Sequence, residues 1–300
     1  MVGTEFFATL LDMIIIVESG ATKTDWCAVQ QDGSLVEVKT AGMNVATMPA
    51  EAINKIIAEA ASQLNPAGES VTEVHFYAAG LIVSEGEKVP ASAINLDKEL
   101  RTFFPEAEME YASDLLDAAR AVCGHEPGIA VILGTGSNSC FYDGEKIVKN
   151  VRSAGFILGD EGGGACLGKL FMADFLKGLV PEPVSSEFAS EFEVDYMTVV
   201  KNVYRSEAPS KYLGEFAPWI LERYDRCEYV RNLVDTNFRN FIERALKQYD
   251  IANYPVGVVG GFGFHQQDKL RKVAAEYGIR FSDIIAAPIE GLVKYHTGIR

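Results

Sequence analysis

The chain has 300 residues, 48% of them hydrophobic, which is enough for a sizeable core in one large domain or two lobes. Its formal net charge of −15 argues against a broad basic face for nucleic acid and against adhesion to an anionic membrane, but leaves room for a small anion held by a local nest of backbone N–H groups. The five cysteines (Cys27, Cys123, Cys140, Cys166 and Cys227) are scattered with no C-x-x-C, the pattern of reduced core thiols in a cytoplasmic protein.

In chain order, the opening MVGTEFFATLLDMIIIV is apolar but lacks a basic n-region and carries Glu5 and Asp12, so it does not read as a signal peptide. No stretch is long and apolar enough to predict a membrane span. Met13 is the expected start of the protein, with residues 1–12 an upstream extension. MIIIVE predicts a buried strand. The loop SGATKT follows, then the strand WCAVQ, an Asp32-Gly33 turn and the strand LVEVK. Pro49 to Leu64 predicts a helix, with Ile53, Ile56, Ile57, Ala60 and Leu64 near helical spacing. Val74 to Ala78 predicts a strand, and Ser92 to Phe104 a helix capped by Ser92 and stopped by Pro105. A short strand, Met109 to Ala112, leads through Ser113-Asp114 into the helix LLDAARAV.

At Ile129 the order begins again. IAVIL, the loop GTGSNS, CFY, an Asp143-Gly144 turn and KIVKNV match IIIVE, SGATKTD, WCAVQ, Asp32-Gly33 and SLVEVK. An internal repeat of this length predicts two related lobes. GDEGGG follows at Gly159 to Gly164, and then a mainly helical region to about Tyr249. PVGVVGG predicts a strand ending in paired glycines, Gln266 to Tyr277 a polar helix, Ile279 to Ile285 a last strand, and Pro288-Ile-Glu-Gly a terminal helix. Alternating strands and helices argue an α/β fold. The division expected is 13–114 for the N-terminal lobe, 115–287 for a C-terminal lobe with a helical insertion, and 288–300 for a terminal helix packing back towards the N-terminal lobe.

The two hairpin loops carry the chemistry. In Gly20-Ala21-Thr22-Lys23-Thr24, glycine allows close backbone approach to an oxyanion, the threonines offer hydroxyl donors and Lys23 a point charge. Gly134-Thr135-Gly136-Ser137 repeats the idea without a lysine. Each loop alone reads equally as a tight hairpin; as a pair they suit a polyphosphate. No G-x-x-x-x-G-K-[ST] is present, and Gly260-Gly261-Phe262-Gly263 lacks the full dinucleotide fingerprint, so hydride transfer is a weak competitor.

Asp114, where a strand gives way to a helix, either caps that helix or acts as a base. Asp117, one turn on, is expected to face solvent or support the cap. Asp160 and Glu161 sit among glycines, exposed to a ligand or opening an acidic helix start. Glu18, beside the first loop, suits a magnesium ion held through water. The four histidines show no metal spacing, and His75 reads as core or edge of a strand.

SGATKTDW, GTGSNS, SDLLDAARA and GFILGDEGG, in this order, resemble the N-acetylglucosamine kinases. These belong, with the activator-type ATPases of benzoyl-CoA reductase, to the actin–hexokinase superfamily. The resemblance runs from Met13 nearly to the end and implies two ribonuclease-H-like lobes with ATP in a cleft between them. It implies phosphate loops at Gly20, Ala21, Thr22, Lys23 and Thr24 and at Gly134, Thr135, Gly136 and Ser137. It implies Asp114 as the catalytic base on the sugar 6-hydroxyl. Asn44, Asn138, Asp160 and Glu161 fall at sugar contacts, and Gly260 and Gly261 beside the adenosine. The sequence departs from the family at Glu18, where aspartate is usual. It departs again at Arg152-Ser153-Ala154-Gly155, where vertebrate-type members have G-G-W-G with the tryptophan near the acetamide. The segment after GDEGGG is also shorter than in many members.

The function expected is ATP- and Mg2+-dependent phosphorylation of an amino sugar, N-acetylglucosamine foremost, with glucosamine and N-acetylmuramic acid open. The partner is a small sugar, with no nucleic acid and no membrane, in the cytoplasm; a homodimer is left open. Two alternatives are an ATPase activating a partner reductase, disfavoured because the cysteines do not form iron–sulfur pairs, and a nucleotide-binding sensor without catalysis.

Overall fold

The computed structural model describes residues 13–20, 23–43, 45, 48–81, 83 and 87–298. Residues 1–12, Ala21, Thr22 and Asn44 lie outside the described residues.

The chain forms two units, one running to Gly124 and resuming at Pro288, the other His125–Ala287. The first contains β1 (Met13–Ser19), β2 (Lys23–Val29), β3 (Leu35–Ala41), α1 (Ala50–Leu64), β4 (Val71–Ala78), α2 (Ile94–Phe103), β5 (Glu108–Ser113) and α3 (Asp114–Cys123). The second contains β6 (Gly128–Leu133), β7 (Ser137–Tyr142) and β8 (Ile147–Asn150). Its helices are α4 (Gly155–Leu158), α5 (Gly164–Leu176), α6 (Val184–Glu191), α7 (Tyr196–Tyr204), α8 (Pro209–Gly214), α9 (Ala217–Leu221) and α10 (Glu228–Arg244). It closes with β9 (Val256–Val259), α11 (Gly261–His265), α12 (Gln267–Ala275) and β10 (Phe281–Ile285), and α13 (Ile289–Thr297) returns to the first unit.

Met13 to Val17 are all buried because β1 is the middle strand of a sheet covered on both faces, which explains the unbroken apolar run. Met13, Ile15 and Val17 alternate towards a core that includes Ile53 and Ile57 of α1 and Leu96 and Leu100 of α2. Ile14 and Ile16 point the other way, against Leu292 and Val293 of α13 and Leu116 of α3. Because α3 completes this core, the first unit ends at Gly124, ten residues past the boundary expected at residue 114.

The two sheets have the same topology. The strand order is β3-β2-β1-β4-β5 in one and β10-β9-β6-β7-β8 in the other, so β6 to β10 stand where β1 to β5 do. In each, the first three strands are antiparallel and the crossover strands parallel. The duplication expected from the sequence is therefore a duplication of topology. In the second unit the helices between β8 and β9 build the core: Phe171 of α5, Phe188 of α6, Trp219 of α9 and Phe238 of α10 are all buried.

Helix starts depart from expectation in two places. A 3-10 turn, Ala91–Ala93, precedes α2, and Ala93 holds the cap position without a side-chain bond, so Ser92 does not cap this helix. At α3 the cap is Ser113, whose Oγ accepts from Leu116 N at 3.3 Å, and Asp114 is the first helical residue. No helix among the described residues is long and apolar enough to cross a membrane.

Candidate active site

In the first unit the β1–β2 hairpin is tighter than the sequence suggested. Lys23, Thr24 and Asp25 already belong to β2, with Ser19 paired to Thr24 and Glu18 to Asp25. Thr24 Oγ1 is fully buried, 2.9 Å from Ser19 Oγ and 3.1 Å from the Ala41 carbonyl it donates to, so this hydroxyl is committed within the sheet. Lys23 is ion-paired with Asp25. Of the remaining loop, Gly20 is described, and its N–H donates to the Lys23 carbonyl at 2.9 Å.

Four carboxylates gather on these elements: Glu18 on β1, Asp25 on β2, and Asp114 and Asp117 in the first turn of α3. Burial pushes Glu18 up to about 7; Lys23 draws it down, while Asp25 and Asp114 push it further up. Burial also raises Asp114, against the backbone N–H groups of its own helix start. A proton acceptor gains from such a rise.

Asp117, expected to face solvent or support the cap, is only 2% exposed, and its Oδ1 has no hydrogen-bond partner. Burial, then the Glu18 and Asp114 charges, hold it well above the carboxylate range. Arg120 pulls the other way, but its Nη1 bonds Tyr77 Oη at 2.6 Å and Glu110 Oε1 at 2.7 Å. A carboxyl that binds its proton more tightly when folded loses stability as pH rises through the ordinary carboxylate range. Asp117→Asn should therefore unfold at a higher temperature than the parent near neutrality, with the gap closing below about pH 4. Melting temperatures across that pH range check this, and a gap that does not grow with pH would contradict it.

In the second unit the β6–β7 hairpin, Gly134 to Gly136, is held by the GDEGGG turn. Gly164 N and Ala165 N, at the start of α5, donate to the carbonyls of Gly134 and Thr135, each at 2.9 Å. Asp160 Oδ1 accepts from Ser137 N at 3.2 Å, while the Asp160 backbone takes a left-handed φ of 57°. Asn237 of α10, fully buried, accepts from Gly162 N at 3.0 Å and donates to the Gly163 carbonyl at 3.2 Å. The glycines of this turn thus serve close backbone packing, and Glu161 is ion-paired with Arg244. Asn138 Oδ1 accepts from Ser139 N and from Asn150 Nδ2, both at 2.9 Å. Gly260 has φ 124° and lies against the Leu133 carbonyl, which a Cβ would meet at 2.5 Å; beside Gly261 there is open space. The second loop's base and the paired glycines are therefore neighbours.

Two features escaped the sequence reading. Asn237 lies on the buried stripe of α10 with Val230, Val234, Phe238 and Phe241, and an amide on such a stripe is the signal that was available. His75, Glu110 and His296, from β4, β5 and α13, bring ligand atoms within 4.8 Å of one another. His75 Nδ1 is 2.7 Å from Glu110 and Nε2 2.9 Å from Glu73, and its ring stacks on His296 at 3.7 Å. Arg120 is ion-paired with Glu110, and α13 is tied to the sheet by the His296 stack and by His296 Nε2, 2.7 Å from Tyr77 Oη.

No family model and no curated protein sequence matches the chain. Among solved structures it is similar to a protein of Porphyromonas gingivalis named as a candidate N-acetylglucosamine kinase. The two are 37% identical over 96% of this chain and 100% of that one, with a TM-score of 0.83. A Chromobacterium violaceum protein of the same description is 17% identical over 95% of this chain and 99% of its own, with a TM-score of 0.72. The ROK hexokinase of Thermus thermophilus is 15% identical over 94% and 96%, with a TM-score of 0.51. The last two bear on the fold alone, the duplicated α/β architecture of actin-like ATPases and ROK kinases.

Proposed function

The chain belongs to the N-acetylglucosamine kinase family of the actin–hexokinase superfamily and is a sugar kinase; from that premise we propose that it transfers the γ-phosphoryl group of ATP to the 6-hydroxyl of an amino sugar, N-acetylglucosamine first. One observation carries the reading. The chain is 37% identical over 96% of its length to a candidate N-acetylglucosamine kinase, and Asp114, freed of the cap role by Ser113, stands at the start of α3.

Phosphoryl transfer asks the protein mainly for positioning and charge stabilisation. Asp114 orients the sugar hydroxyl and takes its proton. Gly20 to Thr24 and Gly134 to Ser137 hold phosphate oxygens. Because Lys23 is paired with Asp25 and the Thr24 hydroxyl is bound within the sheet, neither a free ammonium nor that hydroxyl serves the first loop, which leaves backbone N–H groups as its donors there. Asn44, Asn138, Asp160 and Glu161 hold the sugar hydroxyls, and Gly260 and Gly261 flank the adenosine. The Asp114 charge acts on Glu18, and both carboxyls bind a proton more tightly than usual. Glu18 would hold Mg2+ through water, and the ion supplies neutralisation of the phosphate charge.

A coupled ADP-release assay over amino sugars and plain hexoses tests this. The expected result is Mg2+-dependent ADP release with N-acetylglucosamine, and a product phosphorylated at the 6-position. Nucleotide binding without sugar-dependent release would instead describe a sensor.

A further inference from the structure

Away from the candidate active site, three side chains of metal-binding type converge in the first unit. His75 of β4, Glu110 of β5 and His296 of α13 each bring a ligand atom to within 4.8 Å of the others. They come from three separate elements, so the fold makes this cluster and no short motif does. The His75 side chain is 11% exposed and that of Glu110 37%, so the cluster is sheltered but within reach of water.

Two of the three are braced from behind. His75 Nδ1 lies 2.7 Å from Glu110 Oε2, while its Nε2 lies 2.9 Å from Glu73 Oε2. Glu110 Oε1 accepts from Arg120 Nη1 at 2.7 Å. A metal-bound imidazole commonly donates its other N–H to a carboxylate, and a ligating carboxylate is itself hydrogen-bonded. Glu73 and Arg120 hold those places. The His75 and His296 rings stack at 3.7 Å with 24° between their planes, and His296 Nε2 lies 2.7 Å from Tyr77 Oη. Two imidazoles this close resist carrying a proton each, whereas one divalent ion serves both rings. The charges agree: Glu73 and Glu110 bring two negative charges and Arg120 returns one, which leaves a negative charge for a cation to answer.

We propose that His75, Glu110 and His296 form a Zn2+ site, with water completing the tetrahedron, and that the ion fastens α13 to β4 and β5. Two nitrogen ligands suit Zn2+ over Mg2+ and Ca2+, which take oxygen. Bonds of about 2.0–2.2 Å to a tetrahedral Zn2+ put ligand atoms roughly 3.4 Å apart, so atoms up to 4.8 Å apart draw in by about 1.4 Å, within reach of ring and carboxylate rotation. The site is separate from the kinase chemistry. Its role is structural, because an ion that binds the folded chain alone adds its binding free energy to stability.

The test titrates Zn2+ calorimetrically into the chelator-treated full chain, with excess Mg2+ present. The expected result is one Zn2+ per chain, and a melting temperature raised by about 5–10 °C at a hundredfold excess over Kd. Glu73→Gln, which removes an outer partner, should weaken binding by about 10–100-fold, and His75→Gln and His296→Gln should weaken it further. Glu73 is half-exposed, so its variant should fold even where a histidine variant does not, and melting without metal checks each. His125→Gln/His265→Gln changes the other two of the four histidines and should bind as the parent does. No binding by the parent overturns the proposal. So does binding only at millimolar Zn2+, which would mean an adventitious ion only, affinity unchanged in the Glu73, His75 and His296 variants, or loss of binding in the His125/His265 control.

Discussion

Replacing Asp114 by asparagine should lower kcat by at least ~100-fold, the lower range for losing a general base, while nucleotide affinity stays nearly unchanged. That is about 2.7 kcal/mol of barrier. Asparagine keeps the side chain's size and its place at the first position of α3, and the cap made by Ser113 does not depend on it. What is removed is one proton acceptor. Because burial already disfavours the charge on Asp114, the variant should melt no lower than the parent near neutrality. A fall in kcat with an intact melting temperature and intact nucleotide binding separates lost chemistry from lost structure. Turnover within a few-fold of the parent would remove Asp114 from the mechanism.

The repeated topology was legible because both of its signals are local. A continuous apolar run marks a strand buried on both faces, and Asp32-Gly33 and Asp143-Gly144 mark hairpin turns between strands that the structure pairs antiparallel. The extent of the first unit was not legible. α3 belongs to it through contacts with α13, which the chain forms some 170 residues later, and no local pattern announces such a pairing. Likewise His75 and His296 are neighbours only because β4 and α13 meet, so a search for metal spacing along the chain passes over them.

The site divides along the same line. Residue types in the loops read correctly as glycines, hydroxyls and carboxylates, but their commitments did not. Thr24 was offered as a free donor, yet as a strand residue it faces inward and binds Ser19 and Ala41. Asp117 is expected to face solvent or support the cap because carboxylates usually do, and the buried face of α3 includes it together with Ala118. A short run of sequence gives the chemistry a residue can perform; which face of its element is covered decides whether it is available.

Gly163→Ala should lower the stability of the second unit markedly. Gly163 has φ −81°, so its backbone needs no glycine; the requirement is contact. A Cβ there would meet the Thr135 carbonyl oxygen at 2.7 Å and Gly136 C and O at 2.8 Å. These are backbone atoms and cannot rotate aside. The hairpin would have to withdraw from α5, loosening the bonds from Gly164 N to Gly134 and from Ala165 N to Thr135, which satisfy orphan donors at the helix start. Overpacking costs about 1–3 kcal/mol and each weakened bond about 0.5–1.5 kcal/mol. The sum, roughly 2–6 kcal/mol, corresponds to a melting temperature lower by about 4–24 °C for a unit of this size. Gly134→Ala provides the contrast, since a Cβ at that position meets nothing within 4 Å and the melting temperature should hold. With the second hairpin displaced, Gly163→Ala should also raise KM for ATP at temperatures where it remains folded. A parental melting temperature in Gly163→Ala would mean that the hairpin and the GDEGGG turn are not braced against each other, and the phosphate-binding role of Gly134 to Ser137 would lose its rigid support.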